Sequence, residues 1–194
     1  APGYEQGCGR HELPQQIVSP HNPLTARVLV NRVWMLHFDQ GLVESPGDFG
    51  VRTPPPIYQD LLDHLAYRFI HEGWSLKQLH REIMLSATYR QASLNRDEAM
   101  VVDPDNQLFW RMNRRRIDFG AMRDSMLFVS GTLDESLGGK PVDLNADEFP
   151  RRRSVYALID RNNFSPLLRT FDFPNPDTCS VERPETTVPQ QALF

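Results

Sequence analysis

The stretch NPLTARVLVNRVW, residues 22–34, constrains the fold most. Turned at about 100° per residue, positions 24–38 carry apolar side chains almost all the way round, the pattern of a helix buried on most sides. Asn22 is a suitable cap and Pro23 suits a first turn, so the spacing predicts a helix reaching about Phe38. The same stretch holds Arg27, Asn31 and Arg32. Arg27 and Asn31 are four apart and share a side with Trp34 and Phe38, while Arg32 falls on another side near Thr25. A buried guanidinium is tolerated only when paired and fully hydrogen-bonded. The helix therefore needs acidic or carbonyl partners from distant segments. Asp48, Asp160 and Asp172 are the expected ones, because they have little helical duty of their own. Arg27 and Asn31 then either bridge loops to the core or line a site for an anionic ligand.

The rest of the chain also reads as mainly helical. Residues 1–20 look irregular, and 21–194 read as a single mainly helical domain. The loop after Phe38, DQGLVESPGDFGVRTPPP, is long for a plain connection. A second helix is predicted from about Ile57 to Glu72, with Ile57, Leu61, Leu62, Leu65 and Phe69 on one face and Gly73 as its stop. Ser75 opens a third, whose stripe is Leu76, Leu79, Ile83 and Ala87. These two should pair as an antiparallel hairpin. Residues 93–104 read as a connection, and QLFWRM as a short helix or strand. Asp118 caps a fourth helix from Phe119 to Ser130 with Phe119, Met122, Met126 and Val129 on one side, and Gly131 stops it. SVYALID, 154–160, is β-branched and apolar enough for a strand and is a candidate for a small β element. A short helix and turn follow in NNFSPLLRTFDFP. Pro189 opens a last helix, and its short apolar remainder suggests a chain cut within an element at its C-terminal end.

Hydrophobic residues are 40% and charged residues 24%, a globular balance. The net charge of -4 gives no general attraction to nucleic acid or anionic membrane. No run of about 18 apolar residues is present, so no membrane span is expected. Two cysteines, Cys8 and Cys179, cannot make a zinc cluster alone, and GCGRH lacks the two-cysteine spacing of covalent haem attachment. Unpaired thiols are the simpler reading of the two. No cofactor is therefore expected in this chain.

The polar constellations are modest. His64 and His71 lie two turns apart and lack the four-residue spacing of helical zinc sites, so they read as a solvated face and no metal site is expected. His37 ends the first long helix and is placed to satisfy its last carbonyls. His80 borders an apolar stripe, as a packed and hydrogen-bonded histidine does. Arg111–Arg116 and Arg151–Arg153 are the main basic clusters, expected to form ion pairs with Asp118, Asp160 or Asp172. DFG at 48–50 lacks every companion of a kinase motif, and no Gly-x-Ser-x-Gly elbow is present.

Four blocks carry a wider resemblance: NPLTARVLVNRVWMLHFDQGLVESPGDFG, GWSLKQLHREIMLSATYRQAS, DPDNQLFWRMNRRRID, and RRSVYALIDRNN with LLRTFDFPNPDTC and TTVPQQALF. In this order, over about residues 13–194, the chain resembles the planctomycete-type domain of unknown function 1553. The resemblance implies the C-terminal part of a large exported protein, an extracytoplasmic setting, and companion domains of c-type cytochrome character. Haem c would belong to those companions. The chain departs from the family pattern at Tyr58 and Gln59, where His-Pro is common, at Gly120, where Glu is common, and at Gly138, Gly139, Lys140, Pro141 and Val142. A site relying on those positions is weakened here.

Two functions are expected from this reading. The first is a non-catalytic scaffold or interaction domain, partnered by companion domains of the same chain and a c-type cytochrome, without nucleic acid. The alternative is an enzyme, or part of one, acting on an anionic substrate such as a sulfated or acidic glycan. In either, Arg27, Asn31, Arg115 and Arg161 are the candidates for binding an anion or partner. Asp160 and Asp172 are the catalytic candidates.

Overall fold

The computed structural model describes residues 9–181 and 183–193. The protein is mainly helical, with long irregular loops. It divides into two compact units, residues 1–115 and 116–194. Composition marks no linker at that boundary, and the sequence reading drew one domain across it. Among the described residues no helix is long and apolar enough to cross a membrane.

The first unit contains α1 (Glu12–Ile17), α2 (Thr25–Phe38), α3 (Gln59–His71), α4 (Leu76–Leu85) and α5 (Asp97–Val102). α1 and α5 fall where irregular chain was expected, so both expectations are corrected. α2 begins two residues after the expected first turn. Asn22 does not cap it: its Oδ1 accepts from Leu24 N at 3.0 Å and its Nδ2 donates to Ile17 O at 3.2 Å, tying the turn to α1. The α3–α4 hairpin forms as its signals predict. Ser75 Oγ accepts from Gln78 N at 3.3 Å, and Gly73 adopts φ +74, open to glycine at little cost. α2 packs on α3 and α4, burying Val30, Val33, Trp34 and Phe38 against Leu62, Leu65, Phe69, Leu79 and Ile83. Arg32 and Leu36 lie on the exposed side of α2, so its apolar circumference is not covered all round.

Loop backbone in this unit is held by buried asparagine and aspartate. Asn31, wholly buried, donates from Nδ2 to Val43 O at 3.3 Å and accepts from Val43 N at 2.9 Å. This amide pins the long loop after α2 and lets Leu42 and Val43 enter the core. Gly41 is required beside it, since a Cβ there would meet Val43 O at 2.6 Å. QLFWRM forms neither helix nor strand. Asp103 accepts from Gln107 N and Leu108 N, and Asn106 bonds both N and O of Arg111, so side chains hold the amides a ladder would use. The resulting turn places Phe109, at φ +51, against Trp34 and Phe38.

The second unit contains α6 (Phe119–Val129), α7 (Pro166–Thr170) and α8 (Pro189–Ala192). Asp118 caps α6 as expected, accepting from Ala121 N at 2.8 Å. The buried stripe of α6 is Phe119, Arg123 and Leu127, not the predicted Phe119, Met122, Met126 and Val129. SVYALID is not a strand. It holds a 3-10 turn at Ser154–Tyr156, and the small β element is reduced to two isolated bridges, Asp134 with Arg152 and Val142 with Ala157. Just before and at the start of SVYALID, α6 side chains take three backbone groups, Pro150 O, Arg152 O and Ser154 N, while Tyr156 O and Leu158 N bond Val142.

Asn31→Leu keeps the volume but strands Val43 N and O in the core. Urea unfolding should show a loss on the order of 2 kcal/mol, because unmet buried backbone groups carry their full desolvation cost. A stability within experimental scatter of the parent would show that the amide is not what holds the loop.

Candidate functional site

Arg27, Asn31, Arg115, Asp160 and Asp172 each have a bond that occupies them, whereas Arg161 has none among the described residues. Arg27 donates from Nε to Asp63 Oδ1 at 2.6 Å and from Nη1 to Pro23 O at 2.5 Å. Its partner is thus Asp63 on the adjoining helix, and not Asp48, Asp160 or Asp172. The Arg27 bond holds the Asp63 carboxyl below its ordinary range, against the raising effect of burial. Asn31 is taken up by Val43. Asp48 accepts from Gly50 N and pairs with Arg52 at 2.9 Å, a turn of its own loop. Arg115 donates from Nη1 to Leu36 O. Leu36 lies nine residues beyond Arg27, roughly 13 Å along α2, so Arg27 and Arg115 do not converge.

In the second unit, Arg161 is exposed and forms no ion pair among the described residues. Asp160 accepts from Asn162 N at 2.9 Å and closes a turn. Asp172 sits at φ +59 and receives Thr186 N at 3.0 Å, Thr186 Oγ1 at 2.6 Å and Gln191 Nε2 at 3.2 Å. Burial raises its carboxyl, but these donors and Arg116, 3.9 Å away, outweigh that and leave it below the usual range. Asp172 therefore anchors the segment that leads to α8. The arginine clusters bond carbonyls more than acids. Arg114 donates to Ser93 O, Arg116 to Thr186 O, and Arg152 to the carbonyls of Lys140, Ser136 and Gly138. Asp118 pairs with Arg183, outside both clusters, at 3.7 Å.

His37 does not cap α2. Its Nε2 meets His80 Nδ1 at 2.7 Å, and Tyr89 packs edge-on to its ring. Two imidazoles at that distance share one proton, so at least one is neutral. Burial, then His80, then Arg115 lower the His37 pKa. His71 donates from Nδ1 to Tyr67 O at 2.8 Å and stacks on the Tyr67 ring. No group of three metal-binding side chains occurs among the described residues. Cys179 is exposed and free, and Cys8 lies outside the described residues.

Arg123 and Asp124 were not legible as important. Arg123 is 2% exposed on the core side of α6. It donates to Arg152 O at 2.8 Å, Ser154 Oγ at 3.2 Å and Pro150 O, and lies over the Phe149 ring. Burial lowers its pKa. Asp124 accepts from both N and Oγ of Ser154, at 2.8 and 2.7 Å. A lone arginine in an apolar helix was the available signal, and its place outside both arginine clusters hid it.

With Phe119, Arg123 and Leu127 turned inward, three other apolar residues of α6 are exposed. Met126 is 54% exposed, Phe128 64% and Val129 86%. A helix this apolar is normally covered. Contiguous apolar surface on a folded chain marks a place where another surface sits.

Residues 9–194 match the family described as "Protein of unknown function (DUF1553)". No curated protein and no solved structure matches the chain.

The His37–His80 pair gives the first unit a pH signature. A folded pKa below the unfolded value of about 6.5 means the unfolded state binds more protons just below that pH. Its stabilisation is full above about 6.5 and is lost as the pH falls towards the lower folded value. The melting temperature should fall between about pH 7.5 and pH 5 more steeply for the parent than for His37→Gln. Parallel curves would remove His37 as the cause.

Proposed function

The chain belongs to the DUF1553 family, and from that premise we propose that it is a non-catalytic interaction domain whose α6 face docks on another part of a larger exported protein. The observation that carries the reading is the exposure of three large apolar side chains, Met126, Phe128 and Val129, in the last turns of α6. Permanent interfaces are more apolar than transient ones. The face therefore suits a companion domain of the same parent chain better than a passing electron-transfer partner. The arginine clusters support the same choice, because carbonyls and neighbouring side chains engage most of their guanidiniums. The family resemblance sets the expected surroundings: extracytoplasmic, beside domains of c-type cytochrome character that would carry any haem.

The alternative, an enzyme acting on an anionic substrate, draws no support from its candidates. Asp160 closes a turn, Asp172 is engaged on both oxygens, and Arg27 and Arg115 point to different bonds along α2.

Hydrogen exchange at α6 tests the docking reading. Its amides should exchange more slowly, by about tenfold or more, in the intact parent protein than in this chain alone. Phe128→Glu in the parent should abolish that difference. Equal exchange in the two proteins would end the proposal.

A further inference from the structure

The second unit holds a cavity of about 460 Å³ beside the start of α6. Its floor is aromatic and aliphatic: Phe119, Leu168, Phe171 and Phe173 line it, with Phe119 and Phe171 rings 4.7 Å apart. Arg153 and Arg183 line it as well, with Asp118 and Asp124 beside them. That size and mixture match sites for small molecules, which are mostly apolar with a few polar groups that fix orientation.

The polar lining is not symmetrical. Asp118 uses one oxygen on Ala121 N, and Asp124 uses one on Ser154 N and Oγ. Those donors, with Arg123 Nη1 3.4 Å from Asp124 Oδ1, already offset part of each carboxylate's charge. The two guanidiniums are less engaged. Arg153 lies 4.0 Å from Asp124 and Arg183 lies 3.7 Å from Asp118, beyond hydrogen-bond reach. Neither makes a hydrogen bond among the described residues. Their side chains are 50% and 47% exposed. Arg183 is steadied over the Phe173 ring, 5.4 Å from its centre, on the cavity wall. Guanidinium forks bind carboxylate in two parallel bonds.

We propose that this cavity binds a small carboxylic acid with an aromatic or compact apolar body, the body on the Phe119–Phe171–Phe173 floor and the carboxylate on Arg153 and Arg183. The site uses none of the residues of the α6 docking face, so either reading stands without the other.

Calorimetric titration of the full chain with 3-phenylpropionate tests it, beside 3-phenylpropanamide, 3-phenylpropylamine and acetate. The acid should bind saturably, the amide about tenfold more weakly, and acetate and the amine not at all, since a charge-assisted bond is lost in the amide and the floor in acetate. Arg153→Gln and Arg183→Gln should each weaken the acid by about tenfold, and both sites are exposed enough to leave the fold intact. Ile159→Trp, at the cavity lining, should block the acid. Equal binding of acid and amide, preference for the amine, unchanged affinity in both arginine variants, or no saturable binding at millimolar acid would each overturn the proposal. The comparison of acid with amide needs no variant, so a misfolded substitution would not protect the idea.

Discussion

The guanidinium of Arg123 organises the second unit. Buried charge is tolerable only when paired and hydrogen-bonded; here the two terminal nitrogens meet the carbonyls of Pro150 and Arg152, Ser154 Oγ and Asp124 Oδ1, while Nε has no partner among the described residues. Holding them ties residues 150–154 to α6. It also sets the rotation of α6. With Arg123 inward, Phe119 and Leu127 join the core while Met126, Phe128 and Val129 face out. One buried side chain thus determines the exposed face and the position of Ser154 and Arg153 at the cavity.

The first unit obeys the same constraint with asparagine amides and an aspartate. Irregular backbone that enters a core must find hydrogen bonds without a ladder. Asn31 meets it for Val43, Asn106 for Arg111, and Asp103 for Gln107 and Leu108. These side chains resemble site residues in sequence because they are polar amid apolar neighbours. Their geometry shows structural duty. What the protein offers to other molecules lies elsewhere: an apolar helix face and a cavity with two loosely paired arginines.

The candidate site was legible only in part. Arg27 and Asn31 were correctly marked as needing partners, and Asn31 does hold a distant loop. The acid that meets Arg27 is none of the three expected, because only the packing of α2 on α3 brings Asp63 beside it. Arg115 and Asp172 found carbonyl, hydroxyl and amide partners, which sequence patterns do not distinguish from acids or ligands. Arg153 and Arg183 matter through a shared cavity, and thirty residues separate them in the chain.

Local chemistry determined the helices at the level of sequence. Periodicity, the caps at Ser75 and Asp118, and the stops at Gly73 and Gly131 act within a few residues and are written there directly. The family pattern is likewise a linear property. Tertiary structure alone decided which polar group meets which, whether SVYALID extends or turns, and which side of α6 is buried. Those outcomes depend on burial and on distances between remote segments. The cost of an unmet buried donor is set by where the chain places it, so no residue carries that information by itself.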